Sequence, residues 1–464
     1  MLTDHINALI HPSIFRAYDI RGIVGKTLTE QNVHAIGRAI GTMAMEAGEK
    51  CMAVGRDGRL SGPPLFDALC AGILSTGCDV IDIGMVPTPL LYYATFVTQT
   101  SSGVMLTGSH NPAEYNGLKM MIARQTLTEN QIKKLYHSVI EGHFLQGAGQ
   151  MSSLDIRERY INHVSSAIKL NRPLKIVVDC GNGVAGCIAP ALYKQMGCEV
   201  IELFCDIDGR FPNHHPDPSQ PENLHDLIAA IKEHNADMGL AFDGDGDRLG
   251  MVTNQGEVIW PDRQLMLFAK SILAHKPGAK IIYDVKCSHH LATMIKALGG
   301  EPIMWKTGHS FIKAKLGETE AALAGEMSGH IFFKDGWYGF DDAIYAGARL
   351  LQIAASDTRD VNAIFNDIPN SINTPELKIY VDEDKKFSLM DTLIQLAVFD
   401  DAEKVTIDGL RVNFKDGWGL VRPSNTTPCL VLRFEAETEN ALFRIQKAFR
   451  ELLLSIQSDL VLPF

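Results

Sequence analysis

The chain reads as an α/β protein: three related α/β domains with mixed sheets, followed by a C-terminal α+β domain, arranged around a central cleft. Three observations predict this. A strand, helix, glycine, strand phrase occurs three times; each copy is followed by one further strand that runs into an unusual polar loop; and beyond residue 376 the pattern changes to alternating strands. The length agrees, since 464 residues fill three or four domains of ordinary size.

A mixed aromatic and basic opening, Phe15-Arg-Ala-Tyr-Asp-Ile-Arg21, precedes a helical pattern over 30–47. The first copy of the phrase then runs as a strand at 52–57, a helix at 63–76 and a strand at 80–83 behind Gly77. In the second, the strand 175–179 leads through glycines into a helix ending at Met196, with a strand at 200–204 behind Gly197. The third has a strand at 281–284, a helix ending at Leu298 and a strand at 302–305 behind Gly299. The separations from Asp57 to Gly77, Asp179 to Gly197 and Asp284 to Gly299 are 20, 18 and 15 residues, close enough to mark related units. The further strands are 103–106, 238–242 and 321–324. Behind them lie the loops Thr107-Gly-Ser-His-Asn-Pro112, Asp243-Gly-Asp-Gly-Asp-Arg248 and Gly325-Glu-Met-Ser-Gly-His330. Ligands of α/β sheets bind outside the carboxyl ends of strands, so three loops at equivalent places are expected to line one shared cleft.

Turn-forming clusters place linkers at 146–153 and 367–375 and a turn at 254–256. The expected domains are therefore 1–154, 155–256, 257–368 and 369–464. The last has strands at 376–381, 409–414 and 430–435, a terminal amphipathic helix over 440–454, and one unusual stretch, Arg422-Pro-Ser-Asn-Thr-Thr-Pro428.

Composition narrows the function. A hydrophobic content of 46% without a membrane-length apolar run describes a soluble protein, and Asp4 and His5 stand where a secretory signal would be basic, so a cytoplasmic location is expected. Nine cysteines without a Cys-x-x-Cys pair fit reduced thiols. The net charge of -12 argues against nucleic-acid binding, although a local basic cleft can still take a small anion.

Asp243, Asp245 and Asp247 alternate with glycines directly behind a buried strand, a costly arrangement unless a cation sits among them. An EF-hand would need glycine sixth and a carboxylate twelfth, where Arg248 and Asn254 stand. Three oxygen ligands leave room for water and a phosphate, which suits magnesium. Ser109, with His110 beside it, sits in a turn at a strand end and is suited to carry a phosphoryl group; alone, it would read as a turn or cap serine. There is no Gly-x-Ser-x-Gly elbow. Arg422 and its hydroxyl-rich loop suit a phosphate clamp, or else a plain surface loop. Glu326 and Ser328 suit vicinal sugar hydroxyls, with His330 exchanging a proton. Lys119, Lys286 and His309 follow or end strand-like runs and can add positive charge. Gly181-Asn-Gly183-Val-Ala-Gly186 formally meets a dinucleotide fingerprint. It is read here as a tight turn with close helix packing, because the other two copies keep the layout without the glycines. Adjacent His214 and His215 are read as structural.

Taken together, in this order and spacing, the four loops resemble the α-D-phosphohexomutase superfamily over the whole chain. The opening at 15–21 and the Glu-Met-Ser form of the third loop look most like its bacterial phosphomannomutase/phosphoglucomutase branch. The resemblance implies that Ser109 is a phosphoserine in the resting enzyme and that Asp243, Asp245 and Asp247 hold Mg2+ together with a phosphate oxygen. It implies a hexose 1,6-bisphosphate that forms, turns end over end and returns its first phosphate to Ser109, interconverting the 1- and 6-phosphates of mannose and glucose. Glu326 and Ser328 would bind sugar hydroxyls, and Arg422, Ser424, Asn425 and Thr426 the non-reacting phosphate. Tyr18, Arg21, Lys286 and His309 would complete the pocket, Arg248 would stand beside the metal, and Lys119 and His330 are the candidates for acid and base. A mobile C-terminal domain would let the intermediate turn without escaping. Small phosphosugars are the implied partners, with no nucleic acid and no membrane. The expected assembly is a monomer, with a dimer as alternative, and the expected pathway is polysaccharide precursor synthesis. Two other readings stay open: a metal-dependent sugar phosphatase, and a nicotinamide-dependent oxidoreductase built on the Gly181 motif.

Overall fold

The computed structural model describes residues 10–382, 385–424 and 427–464. The chain falls into two compact units. One comprises the residues up to Pro261 together with Ser328–Asn366; the other comprises Asp262–Met327 together with Asp367–Phe464.

The first unit contains two mixed sheets. One has the strand order Ile20–Ile23, Tyr115–Ile122, Gly103–Leu106, Cys51–Arg56, Asp79–Met85, Met151–Ser153. Its centre is parallel, whereas Ile20–Ile23 and Tyr115–Ile122 form an antiparallel margin. Met52, Ala53 and Val54 are buried in succession, the unbroken apolar run that a parallel strand covered on both faces requires. The helices Glu30–Glu46 and Gly62–Leu74 cross at glycine. A Cβ on Gly72 would come within 2.2 Å of the His34 carbonyl oxygen, and one on Gly37 within 2.5 Å of that of Leu69. The other sheet has the order Val258–Ile259, Leu249–Thr253, Met238–Phe242, Lys175–Asp179, Glu199–Leu203. The aspartate loop is thus the hairpin between Met238–Phe242, parallel to Lys175–Asp179, and the antiparallel return strand Leu249–Thr253. The segment 328–366 adds the helix Ala343–Ser356, capped by the Asp342 side chain on the Tyr345 N–H. Tyr160 and Trp337 also donate to that carboxylate, and the Trp337 ring stacks between Tyr93 and Tyr345.

In the second unit, the parallel strands Glu301–Trp305, Lys280–Asp284 and Leu323–Gly325 carry the third repeat. The antiparallel C-terminal sheet runs Ile372–Asn373, Cys429–Ala436, Gly417–Pro423, Leu410–Phe414, Glu403–Val405, with Leu377–Tyr380 also paired to Cys429–Ala436. Its core is built on Val412, Leu432 and Phe434 with Ile445 and Phe449 from the helix Glu439–Ile456. Trp418 is buried against Val285 and Leu420. Arg411 lies 3.9 Å over the Trp418 ring and donates to the carbonyls of Val285 and Cys287 at 2.7 and 2.8 Å. The third repeat and the C-terminal sheet therefore share buried contacts within one unit.

Four expectations need adjusting. The 146–153 linker ends in Met151–Ser153, an exposed edge strand parallel to Asp79–Met85, which carries none of the burial pattern that marks inner strands. The 367–375 linker contains Ile372–Asn373, paired with the end of Cys429–Ala436. The helix expected up to Met196 is broken into the 3-10 turn Val184–Cys187 and the helix Ala189–Gln195, which Pro190 opens. Arg422 and Pro423 end the strand Gly417–Pro423 instead of opening the loop.

Candidate active site

Ser109 is held by a buried ion pair that sequence reading did not single out. Asp57 and Arg59 are each about 1% exposed, and the Arg59 Nε lies 3.1 Å from the Asp57 Oδ2. The same carboxylate oxygen accepts from the Thr107 hydroxyl at 2.7 Å and the Gly108 N–H at 3.2 Å. The Arg59 guanidinium donates onward to the carbonyls of Ser109, Asn111, Pro112 and Tyr115, at 2.8, 2.6, 2.5 and 2.9 Å. A loop rich in Gly, Asn and Pro is thereby fixed along its length. Ser109 itself has φ +48°, a left-handed conformation that costs a non-glycine residue strain and is held here by those contacts.

The serine hydroxyl faces the aspartates. Ser109 Oγ donates to Asp243 Oδ2 at 3.0 Å and lies 3.1 Å from His110 Nδ1. Burial, helped by the charges of Arg248 and Arg21, holds His110 well below its ordinary pKa and therefore neutral. Asp243 Oδ1 accepts from the N–H groups of Asp247 and Arg248 at 3.1 and 3.2 Å, closing the tight turn on which Gly246 takes φ +74°. Asp245 Oδ2 accepts from Thr88 Oγ1 at 2.5 Å and Lys119 Nζ at 2.6 Å, and Lys119 also reaches Asp247 Oδ2. Burial opposes the Lys119 charge, yet Asp245, Asp247 and Asp243 outweigh it and raise its pKa. Burial and the two neighbouring carboxylates push Asp243 up. For Asp247 burial acts in the same upward sense, but Lys119 and His330 overcome it and hold the carboxyl below the ordinary range.

His330 Nε2 stands 3.4 Å from both Asp247 Oδ1 and Arg248 Nε, while its Nδ1 lies 2.8 Å from Ser328 Oγ. Arg21 joins the serine loop through Asn111 Oδ1 at 2.5 Å and is paired with the buried Asp19 at 2.7 Å. Tyr18 lies half-buried in the bend before Ile20–Ile23. Ser109, His110, Lys119, Arg248, His330 and the three aspartates are thus brought together within the first unit, with Arg21 alongside.

The second unit gathers the remaining candidates. Lys286 Nζ pairs with Glu376 Oε1 at 2.5 Å. Glu326 Oε1 accepts from the Gly308 N–H at 2.6 Å, directly ahead of His309, which opens the helix His309–Thr319. Arg422 Nε donates to Asp408 Oδ2 at 2.9 Å, and the same oxygen accepts from the Thr307 N–H. Ser424 Oγ lies 2.8 Å from Thr427 Oγ1, and the buried Lys386, another residue sequence reading missed, donates to the Ser424 carbonyl at 2.7 Å. Asn425 and Thr426 lie outside the described residues. The loop 325–330 is divided: Glu326 belongs to the second unit, Ser328 and His330 to the first.

The aspartates fit a cation. Asp243, Asp245 and Asp247 are fully buried and offer oxygens all within 4.8 Å of one another. Asp245 Oδ1 accepts no hydrogen bond among the described residues, the condition expected of a ligand oxygen, and Asp247 Oδ1 has only the long 3.4 Å contact with His330 Nε2. The Gly181 motif has another use. A Cβ on Gly186 would come within 2.0 Å of the Cys205 carbonyl oxygen and one on Gly183 within 2.9 Å of that of Gly244, so these glycines admit protein backbone. His214 is structural, as expected, with Nε2 3.0 Å from Asp179.

Three repeated α/β sheets and an antiparallel fourth domain, with a serine hydroxyl set against an aspartate triad, define a phosphosugar-mutase class of architecture. Models of phosphoglucomutase/phosphomannomutase alpha/beta/alpha domains I, II and III match residues 12–146, 158–256 and 260–372, and the C-terminal domain model matches 376–452. The chain belongs to the phosphoglucomutase/phosphomannomutase family. It is 56% identical to a phosphomannomutase/phosphoglucomutase of Pseudomonas aeruginosa, covering 97% of this chain and 98% of that one. It is 55% identical to a phosphoglucomutase of Neisseria meningitidis over the same shares. A solved phosphoglucomutase/phosphomannomutase family protein from Burkholderia thailandensis superposes with a TM-score of 0.95 at 53% identity, covering 98% of this chain and all of that one.

Proposed function

We propose that the protein interconverts the 1- and 6-phosphates of mannose and glucose through a phosphoserine at Ser109 and a hexose 1,6-bisphosphate. The observation that carries the reading is the Ser109 hydroxyl, 3.0 Å from Asp243 in a loop locked by Asp57 and Arg59. Asp243, Asp245 and Asp247 would hold Mg2+, which when bound offsets charge on the phosphate oxygens. The substrate hydroxyl attacks the phosphoserine phosphorus; its new O–P bond forms as the P–Oγ bond breaks, and its proton leaves while Oγ gains one. Lys119 and His330, at the edge of the triad, are assigned to hold and pass those protons, and neutral His110 orients Oγ. Arg248 and Arg21 add positive charge beside the serine loop. Glu326 and Ser328 are assigned to the sugar hydroxyls. Arg422, Ser424, Asn425 and Thr426 are assigned to the distal phosphate, and Tyr18, Lys286 and His309 to substrate binding.

Intact mass tests the first step: one added phosphoryl group, about 80 Da, is expected on the purified protein and should be absent from Ser109→Ala. With Mg2+ and a trace of glucose 1,6-bisphosphate, the wild type should convert both 1-phosphates to 6-phosphates, and Ser109→Ala should lose at least about a thousandfold in kcat. Release of free phosphate at a comparable rate would instead establish a phosphatase. Chelation should abolish turnover, and Mg2+ should restore it. We further assign domain boundaries at 154/155, 256/257 and 368/369, a cytoplasmic monomer, and a role in polysaccharide precursor synthesis. No helix among the described residues is long and apolar enough to cross a membrane.

A further inference from the structure

Of the nine cysteines, Cys180 and Cys205 stand apart: their Sγ atoms are 3.5 Å from each other. Cys180 is buried and Cys205 only partly so, which makes Cys205 the more accessible residue of the pair. Burial raises the Cys180 pKa and keeps that thiol protonated at rest, and Cys205, the less buried of the two, is assigned the first attack. The position of the pair matters more than its proximity. Cys180 begins the glycine turn at the end of Lys175–Asp179, and its carbonyl accepts from the Gly183 N–H at 2.6 Å. One residue on, the Val184 N–H donates to the carbonyl of Gly244, inside the aspartate loop. On its other side the turn rests on the Cys205 backbone through Gly186. This turn therefore meets the backbone of the Cys205 segment at Gly186 and that of the metal loop at Gly183.

We infer that Cys205 and Cys180 form a peroxide-sensitive modification site whose disulfide reversibly weakens the neighbouring aspartate loop. Hydrogen peroxide is the oxidant. The Cys205 thiolate attacks the O–O bond; an S–O bond forms, hydroxide leaves, and Cys205 becomes a sulfenic acid. The Cys180 sulfur then attacks that of Cys205, the S–S bond forms, and the sulfenic oxygen leaves with the Cys180 proton as water. In total two thiols lose two electrons and two protons, and one peroxide becomes two waters. Closing the sulfurs from 3.5 Å to a bond of about 2.05 Å shifts Cys180, whose carbonyl holds the Gly183 N–H, and so disturbs the adjoining Val184 N–H to Gly244 hydrogen bond. The effect on the loop rests on the metal assignment above, whereas the disulfide does not.

Peptide mapping tests the disulfide, because Lys194 lies between the two cysteines and trypsin leaves them on separate peptides. After treatment of the full-length protein with hydrogen peroxide, a cross-linked 180–205 peptide and a loss of about 2 Da are expected. Cys205→Ser should form no cross-link, and Cys180→Ser should stop at a sulfenic acid that dimedone captures. In the oxidised wild type the Mg2+ dissociation constant, read by calorimetric titration, should rise several-fold and return with dithiothreitol; peroxide should leave it unchanged in Cys205→Ser. The site is refuted if Cys180 stays alkylatable in the wild type while Cys205 proceeds to sulfinic acid. Its effect on the loop is refuted if the disulfide forms and Mg2+ affinity stays the same. A protein that binds no Mg2+ even when reduced would overturn the metal assignment and leave the mapping result standing.

Discussion

At the scale of single residues, Arg59 does more for Ser109 than any neighbour in sequence. One guanidinium satisfies four carbonyls of the serine loop while balancing the buried charge of Asp57. Removing it strands a buried carboxylate, so Arg59→Ala should destabilise the protein by about 3–5 kcal/mol in denaturant unfolding. Adding Asp57→Asn should recover part of that loss. Asp342 makes a different prediction. Burial raises its pKa to about 7, opposed by hydrogen bonds from Tyr345, Tyr160 and Trp337. The folded protein keeps this proton up to about pH 7, whereas the unfolded chain releases it near the ordinary aspartate value of about 4. Stability should therefore fall as pH rises between those values and level off above. Asp342→Asn, which retains an acceptor for the helix cap, should remove that slope in melts recorded from pH 4 to 8. The aspartate triad and Ser109 were legible in sequence because each is a dense local pattern behind a strand. Arg59 was not: its partners are about fifty residues away, and nothing local distinguishes it from a solvated arginine. Lys386 and Arg411 were hidden for the same reason.

At the scale of elements, the inner strands were legible wherever burial on both faces left an unbroken apolar run, as in 175–179, 238–242 and 281–284. The short edge strand Met151–Ser153 was not, since it is exposed and paired on one side. Helix contacts were equally invisible, because backbone proximity leaves only glycine as its trace. At the Gly37 and Gly72 crossing that trace has a testable cost. A methyl at Gly72 would meet the His34 carbonyl at 2.2 Å, and neither helix backbone can yield locally. Gly72→Ala should cost about 1–3 kcal/mol and lower the Tm. Turnover per folded molecule should hold, since the crossing touches none of the proposed site residues.

At the scale of the whole molecule, the four family domains were legible from the repeat and its closing loops, but their distribution over two units was not. The C-terminal sheet looks separable in sequence. In the structure Trp418, Leu420, Arg411 and Arg433 are buried on the segment around Val285 to Ser288, more than a hundred positions earlier. A fragment of residues 369–464 should therefore lack a cooperative melt by circular dichroism. Adding residues 262–327 through a linker should restore one. The 328–366 insertion gives this arrangement a cost during synthesis. When the ribosome has made residues 262–327, the chain must first supply 328–366 to the other unit before the sheet that covers Val285 exists. At roughly 5–20 residues per second the uncovered surface waits on the order of ten seconds. The newborn protein therefore spends that interval with two unfinished cores, the window in which a chaperone has most to protect.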